Sequence, residues 1–172
     1  NYLLRNALSV AVPSIRSEFG FTSAEIGWII GAFNISYTLM MIPGGVFGER
    51  FGPRLALGGV AVTWGGLTWF TGFAPGLMAA SATGAMTSLI VVRLFVGATN
   101  APIFPITTGL IASWFPPGRW ALPNSLTSSG LALGQAALGP IVTALIIRYG
   151  WREAFYILAP TGVIAGIWWY WY

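Results

Sequence analysis

The sequence predicts an all-α membrane protein of six transmembrane helices, and three observations carry that prediction. Only 7% of the 172 residues are charged, against roughly 25% in a soluble domain. Hydrophobic residues make up 56% of the chain and the mean hydropathy is +0.75, the composition of a protein whose solvent is the bilayer. Six apolar runs are separated by short polar or Gly- and Pro-rich breaks, and this length holds roughly six spans of about 20 residues each. One helical unit fills the chain and leaves no length for a soluble domain.

The same composition excludes other classes. There is no Cys and no His, which removes thiol nucleophiles, Cys- or His-ligated metals and the side chain best suited to titrate near neutral pH. No catalytic constellation, metal or cofactor is expected, so the chain is not read as an enzyme. The pI near 10 comes from eight Arg scattered singly between apolar runs, which makes no basic face for nucleic acid.

Each element follows in order. Residues 1–15 form a run of about 22 Å at the helical rise, short of the ~30 Å hydrocarbon core. Since the chain opens on Asn1 and not Met, this is read as a first helix cut before its beginning. Arg16 to Ala24 is a polar turn, and Thr22 with Glu25 has the spacing of a capping box, which opens a second helix to about Phe47. Gly48 to Pro53 breaks it. A third helix runs from about Arg54 to Phe73, with the small residues Ala74 to Gly84 as its exit loop. A fourth covers about Ala85 to Phe115 and stops at Pro116, Pro117 and Gly118. The fifth occupies about Ala121 to Ile147. The sixth starts after Gly150 and ends in the aromatic cluster Trp168 to Tyr172, which resembles an interfacial belt.

Charge does not set the orientation, because Arg50, Arg54 and Arg119 on one side balance Arg16, Arg148 and Arg152 on the other. An internal repeat explains the tie. Arg50-Phe51-Gly52-Pro53-Arg54 after the second helix echoes Arg148-Tyr149-Gly150-Trp151-Arg152 after the fifth. Leu3-Leu4-Arg5 likewise echoes Val91-Val92-Arg93, each followed by a Pro eight or nine residues later. Three helices per copy turn the second copy upside down, giving a 3+3 inverted-topology repeat with units of about 1–75 and 85–172 within a single domain, 1–172.

The connection Gly45-Val46-Phe47-Gly48-Glu49-Arg50-Phe51-Gly52-Pro53-Arg54 resembles the signature loop of the major facilitator superfamily, Gly-x-x-x-Asp-Arg-x-Gly followed by two basic residues, with Glu for Asp and Pro53 at the first basic site. The resemblance implies the amino-terminal six-helix half of a solute carrier, with this loop cytoplasmic, in a multi-pass protein of the plasma or bacterial inner membrane. Gly45, Glu49, Arg50, Gly52 and Arg54 would form a gate in which a carboxylate and an Arg at helix ends can pair and glycines let the helices approach. A tight turn with a solvated charge pair is the alternative. A second six-helix half is the expected partner, together with the lipid bilayer.

Arg93 with Gly97 matches the superfamily's fourth-helix Arg-x-x-x-Gly, and Arg93, Gly97 and Asn100 share one helical face. An Arg deep in a span costs roughly 2.5–3.5 kcal/mol on insertion scales, so it faces either a ligand or backbone carbonyls of neighbouring helices. Tyr2-Leu3-Leu4-Arg5-Asn6-Ala7-Leu8-Ser9 resembles the first helix of the anion:cation symporter branch. Two guanidiniums on repeat-related helices each offer a planar fork to a carboxylate, so the resemblance implies a small organic anion, such as a sugar acid, as substrate. In the second helix Asn34 and Tyr37 share a face ahead of Pro43-Gly44-Gly45, and the branch's Tyr there can line the cavity. On the fifth, Asn124, Ser128, Leu131 and Gln135 form one stripe, and Gln135 stands one turn beyond the place where the branch often has Gln. The candidate binding residues are thus Arg5, Arg93, Tyr2, Tyr37, Asn34, Asn100 and Gln135, with interhelical hydrogen bonding as the alternative role of the uncharged ones. Gly27 with Gly31 and Gly130 with Gly134 read as packing positions.

Two departures bear on mechanism. Proton-coupled members of the branch commonly have Asp before the first-helix Arg and Glu seven residues beyond the fourth-helix Arg. Here those places hold Leu4 and Asn100, and Glu18, Glu25, Glu49 and Glu153 all fall at loops or helix ends. The expected function is alternating-access transport of a carboxylate, with a uniporter or exchanger lacking proton coupling as an alternative. A non-transporting membrane scaffold or remnant is the reading if six helices are the whole protein.

Overall fold

The computed structural model describes residues 7–77 and 81–171. Tyr2, Leu4 and Arg5 lie outside them. The elements are α1 (Ala7–Phe19), α2 (Ser23–Phe51), α3 (Pro53–Leu77), α4 (Ala82–Asn100), α5 (Ile103–Trp114), a 3-10 turn (Pro117–Arg119), α6 (Ala121–Tyr149) and α7 (Trp151–Trp171). α4 and α5 are two halves of one rod, so the described residues form six helical rods and contain no strand. α2, the α4–α5 rod and α6 with the turn before it are long and apolar enough to cross a membrane. α3 and α7, at 25 and 21 residues, reach about 37 and 31 Å.

Four expected boundaries are corrected. α1 continues through Arg16 to Phe19, so the polar turn is confined to residues 20–22. Gly48 does not break α2, which continues to Phe51; Gly48 is buried against Ile106, and the turn is made by Gly52 alone, at φ 79°. α3 runs four residues past Phe73, because Ala74 and Pro75 are buried and packing outweighs their weak helical signal. The fourth rod is interrupted at Ala101–Pro102.

α2 opens as the sequence requires. The Thr22 hydroxyl accepts from the Glu25 backbone N–H at 3.3 Å and the Thr22 backbone N–H donates to Glu25 Oε2 at 2.7 Å, the reciprocal capping box. Thr22→Val is expected to cost ~1 kcal/mol, read as a fall of a few degrees in the melting temperature of the purified full-length protein.

Two interfaces define the bundle. α3 and α7 run antiparallel in close contact along most of their length. An added Cβ at Gly65 would lie 2.8 Å from Val163 Cγ2 and 2.9 Å from the Ala159 carbonyl, and one at Gly166 would lie 2.9 Å from the Gly58 carbonyl. Small residues let the two backbones touch, the usual basis of helix association in lipid. α2 runs parallel to α4 and α5, again through glycines. α4 also packs on α3, and α6 packs on α7 and α1. Leu8 and Ile15 of α1, Leu89 and Val96 of α4, and Phe155 and Leu158 of α7 form the core between these pairs. Gly27, Gly31, Gly130 and Gly134 meet nothing within 4 Å, so the packing expected of them is not found within the described residues.

Three antiparallel rods separate Gly52 from Gly150, so these two turns lie at opposite ends. At the Gly150 end, Glu18 joins α1 to α7: its carboxylate pairs with Arg152 Nη2 at 2.7 Å and accepts from the Trp151 indole N–H at 2.6 Å. The pair is about one-third exposed and adds roughly 1 kcal/mol or less, while the indole bond to a charged acceptor contributes roughly 1.5–3 kcal/mol. Glu18→Ala is therefore expected to lower the melting temperature by several degrees, and Glu18→Gln, which keeps an acceptor for Trp151, by less. At the Gly52 end, Arg54 Nη2 donates to the Trp171 carbonyl at 3.1 Å, closing the carboxyl end of α7.

Candidate functional site

The site is built on α4. Its amino terminus is fixed by the Ser81 hydroxyl, which accepts from the Gly84 N–H at 3.0 Å. Arg93 follows ~15 Å along the rod from Thr83 and is only 4% exposed. Val92, Val96 and Leu89 around it are buried core residues, so this part of α4 lies in the apolar interior, at a depth where charge is expensive.

One turn on, Gly97 sets the distance between α4 and α2. A Cβ there would run into Ser36 Oγ and the Phe33 carbonyl and would lie 3.1 Å from the Tyr37 backbone nitrogen. The absence of a side chain at Gly97 thus brings the Phe33–Tyr37 turn of α2 against the face of α4 that carries Arg93. Phe33 and Tyr37 stack with ring centroids 5.8 Å apart, and Tyr37 is half-buried. Ser36, also buried, donates to the Phe33 carbonyl at 3.1 Å. Asn100 is 3% exposed, and its amide donates to the Val96 carbonyl at 2.7 Å. A buried Arg, a buried neutral amide and a Tyr beside them suit a planar anion with hydroxyl groups better than a cation.

Arg93, Gly97 and Asn100 share one face of α4, and the Tyr37 backbone lies against that face at Gly97. Asn34 is exposed, with a long 3.5 Å contact from its amide to the Ile30 carbonyl. Gln135 is exposed on α6, whose principal neighbours are α7 and α1 rather than α2. Asn34 and Gln135 are therefore exposed on α2 and α6, whereas Arg93 is buried on α4. Asn124 on the same stripe donates to the Trp120 carbonyl at 2.9 Å.

In the Gly52 loop, Glu49, Arg50 and Arg54 are exposed and Gly45 rests on the Pro105 ring. Among the described residues Glu49 and Arg50 form no ion pair with each other. As neighbours in a continuous helix they point about 100° apart, so neither faces the other. The sequence reading missed Ser36, and it missed that Gly44, Gly45 and Gly48 seat α2 on the fourth rod. The four-residue spacing of Gly44 and Gly48 was the available signal.

Comparison with known proteins agrees with this arrangement. The sequence profile of the Major Facilitator Superfamily matches residues 1–172. The chain is 31% identical over 170 residues to a hexuronate transporter of Bacillus subtilis, covering 99% of this chain and 38% of that one. It is 36% identical over 169 residues to a D-galactonate transporter of Escherichia coli (98% and 37%), and 33% identical over 162 residues to a probable sulfoacetate transporter of Cupriavidus necator (94% and 36%). The chain spans a little over one-third of the length of these relatives. With the signature-like Gly52 loop, the Arg93–Gly97 pair and a profile match from end to end, this chain belongs to the Major Facilitator Superfamily, a superfamily of membrane transporters.

Proposed function

We propose that this chain is the amino-terminal half of an alternating-access carrier for a small organic anion, a sugar acid or similar carboxylate, in a plasma or bacterial inner membrane. Arg93 is its anion-binding group, with Arg5 as the second guanidinium and Tyr2, Tyr37, Asn34, Asn100 and Gln135 as further contacts. The observation that carries the reading is the burial of Arg93 and Asn100 on the face of α4 against which the Phe33–Tyr37 turn of α2 packs at Gly97, in a chain whose relatives bear the names of hexuronate and galactonate transporters. A second six-helix half would close over the open rims of α2 and α6, and the Gly52 loop would gate the cytoplasmic side.

The half is itself two inverted three-helix units, about 1–75 and 85–172. A shift of 98 residues takes Arg50, Gly52 and Arg54 onto Arg148, Gly150 and Arg152. The same shift exchanges Gly58 with Tyr156 and Gly72 with Tyr170, and in the α3–α7 interface Gly58 meets Tyr170 while Gly72 meets Tyr156. The contact Gly65–Val163 becomes its own image. Contacts that exchange in this way support a two-fold axis through the middle of that interface.

The transport is read as uniport or exchange, because this half offers no membrane-embedded carboxylate to carry a proton. Asn100 stands where a carboxylate would titrate and spends its amide on its own helix, and the Glu residues described lie at helix ends. The test is uptake of labelled hexuronates and aldonates by the full-length protein in proteoliposomes. Uptake down the substrate gradient, or against a preloaded anion, is expected with no imposed pH gradient. A strict requirement for an inward proton gradient would contradict the uncoupled reading, and no uptake of any carboxylate would contradict the function.

A further inference from the structure

We propose that the cleft between α3, α5, α6 and α7 is a second binding site, which takes a small neutral molecule dissolved in the bilayer: a hydrocarbon body carrying one carbonyl acceptor. None of Arg93, Tyr37, Asn34, Asn100 and Gln135 lines it, so the site goes beyond the transport reading and does not depend on it.

Small side chains open the space. α3 and α7 touch through their glycines, where a Cβ at Gly162 would lie 3.0 Å from Gly65 Cα. On the flank of that contact Ala61 and Ala165 offer only a methyl group each, and α5 and α6 close the space with Ile103 and Ile141. The result is a cavity of about 490 Å3, within the roughly 300–1,000 Å3 of sites that hold small molecules. Its walls are apolar, and apolar cavities take up apolar molecules in preference to water, which needs two to four polar partners. The polar side chains that line it are Trp64 and Thr161, and the Thr161 hydroxyl already donates to the Leu158 carbonyl at 2.6 Å.

Trp64 specifies the acceptor. It is 4% exposed, and its indole N–H, a donor only, has no hydrogen-bond partner among the described residues. A buried donor left unsatisfied costs its full desolvation, and an acceptor brought in by a ligand recovers that cost. Trp64 lies about 17 Å along α3 from Pro53 and about 20 Å from Leu77, and Thr161 stands midway along α7, so the cavity is near the middle of the span. A charged ligand is expensive at that depth. A phospholipid does not place its ester carbonyl there, because its polar groups stay at the boundary of a hydrocarbon core about 30 Å thick. A free, neutral carbonyl compound meets both conditions.

Entry is from the side of the bundle. Of the lining residues, Ile141, Thr161 and Ala165 are exposed, whereas Val60, Trp64 and Leu158 are buried. The mouth therefore lies between α6 and α7, and the floor on α3. Ile164, beside Thr161 on α7, is exposed and apolar as well. A molecule dissolved in the bilayer reaches such a mouth without crossing water.

The experiment uses the full-length protein in nanodiscs, with a medium-chain aliphatic ketone carrying a photoreactive diazirine as the probe. Illumination is expected to label the α3 segment around Trp64 and the α7 segment around Thr161, saturably, as read by mass spectrometry of the peptides. The unlabelled ketone should displace the probe at concentrations about tenfold lower than the alkane of the same shape, because only the ketone gives the indole an acceptor. Trp64→Phe, which keeps a ring and loses the donor, should make ketone and alkane equal competitors. Ala61→Leu, which fills the cavity, should remove the labelling in a protein whose melting temperature shows it folded. A saturating hexuronate should leave the labelling unchanged. Absence of saturable labelling at the two segments, equal competition by ketone and alkane in the unaltered protein, displacement by the hexuronate, or undiminished labelling in folded Ala61→Leu would overturn the proposal. The labelling needs no transport, so failure of this site is distinguishable from failure of the anion reading, which shows as absent uptake.

Discussion

Arg93→Ala is expected to abolish carboxylate uptake while leaving the protein folded. A buried carboxylate that loses its hydrogen-bonded cationic partner forfeits roughly 2–5 kcal/mol, on the order of thirty- to several-thousandfold in affinity. Lys at the same place keeps the charge and loses the planar fork, so Arg93→Lys should bind weakly and retain some transport. The comparison is informative because Arg93 is 4% exposed. Were it held only by backbone carbonyls of neighbouring helices, both substitutions would lower the melting temperature and neither would change affinity in the fraction that remains folded. Equilibrium binding of a hexuronate, with melting temperatures in parallel, separates the two roles.

Gly97→Val is expected to be the most damaging single substitution for assembly. The new Cβ would overlap Ser36 Oγ and the Phe33 carbonyl. The hydroxyl can rotate away, but the carbonyl is part of α2 and moves only if the helix moves. Overpacking of this kind costs roughly 1–3 kcal/mol and occasionally more, and in a unit of this size each kcal/mol lowers the melting temperature by about 2–4 °C. Since α2 must leave α4, the Phe33–Tyr37 turn leaves the face that carries Arg93, and transport should fall with stability. Gly97→Ala with Ser36→Gly should recover part of the loss, because it removes the side-chain clash and leaves the carbonyl. Melting temperature and expression level of the two variants, beside the unaltered protein, check the order.

Much of the fold could be read from the sequence because the bilayer imposes it. Apolar runs of fixed length, the Thr22–Glu25 box and the glycines at 52 and 150 locate the five breaks between the six rods to within a few residues. The misreadings have a common cause. Gly48, Ala74 and Pro75 look like breaks when judged by local propensity, yet each is buried in a helix whose packing decides the outcome. The glycine pairs singled out by spacing, Gly27 with Gly31 and Gly130 with Gly134, face open space, while Gly44 with Gly48 and Gly162 with Gly166 make the contacts. Spacing shows that a small-residue face exists, and only the neighbouring helix shows which face is used. At the site, Arg93, Gly97 and Asn100 were legible because one helix carries them at helical spacing. The approach of Ser36 and Tyr37 depends on a second helix and was visible only in part, and Asn34 and Gln135 share the right chemistry but stand on the exposed rims.

The central claim is a carboxylate site centred on Arg93, and the most direct test is competition binding to the purified full-length protein. A labelled aldonate or hexuronate is displaced in turn by its unlabelled form and by the neutral sugar of the same carbon skeleton. The account predicts saturable binding that the acid displaces, that the neutral sugar does not, and that Arg93→Ala removes. Equal displacement by the neutral sugar, or undiminished binding in a folded Arg93→Ala protein, would contradict it.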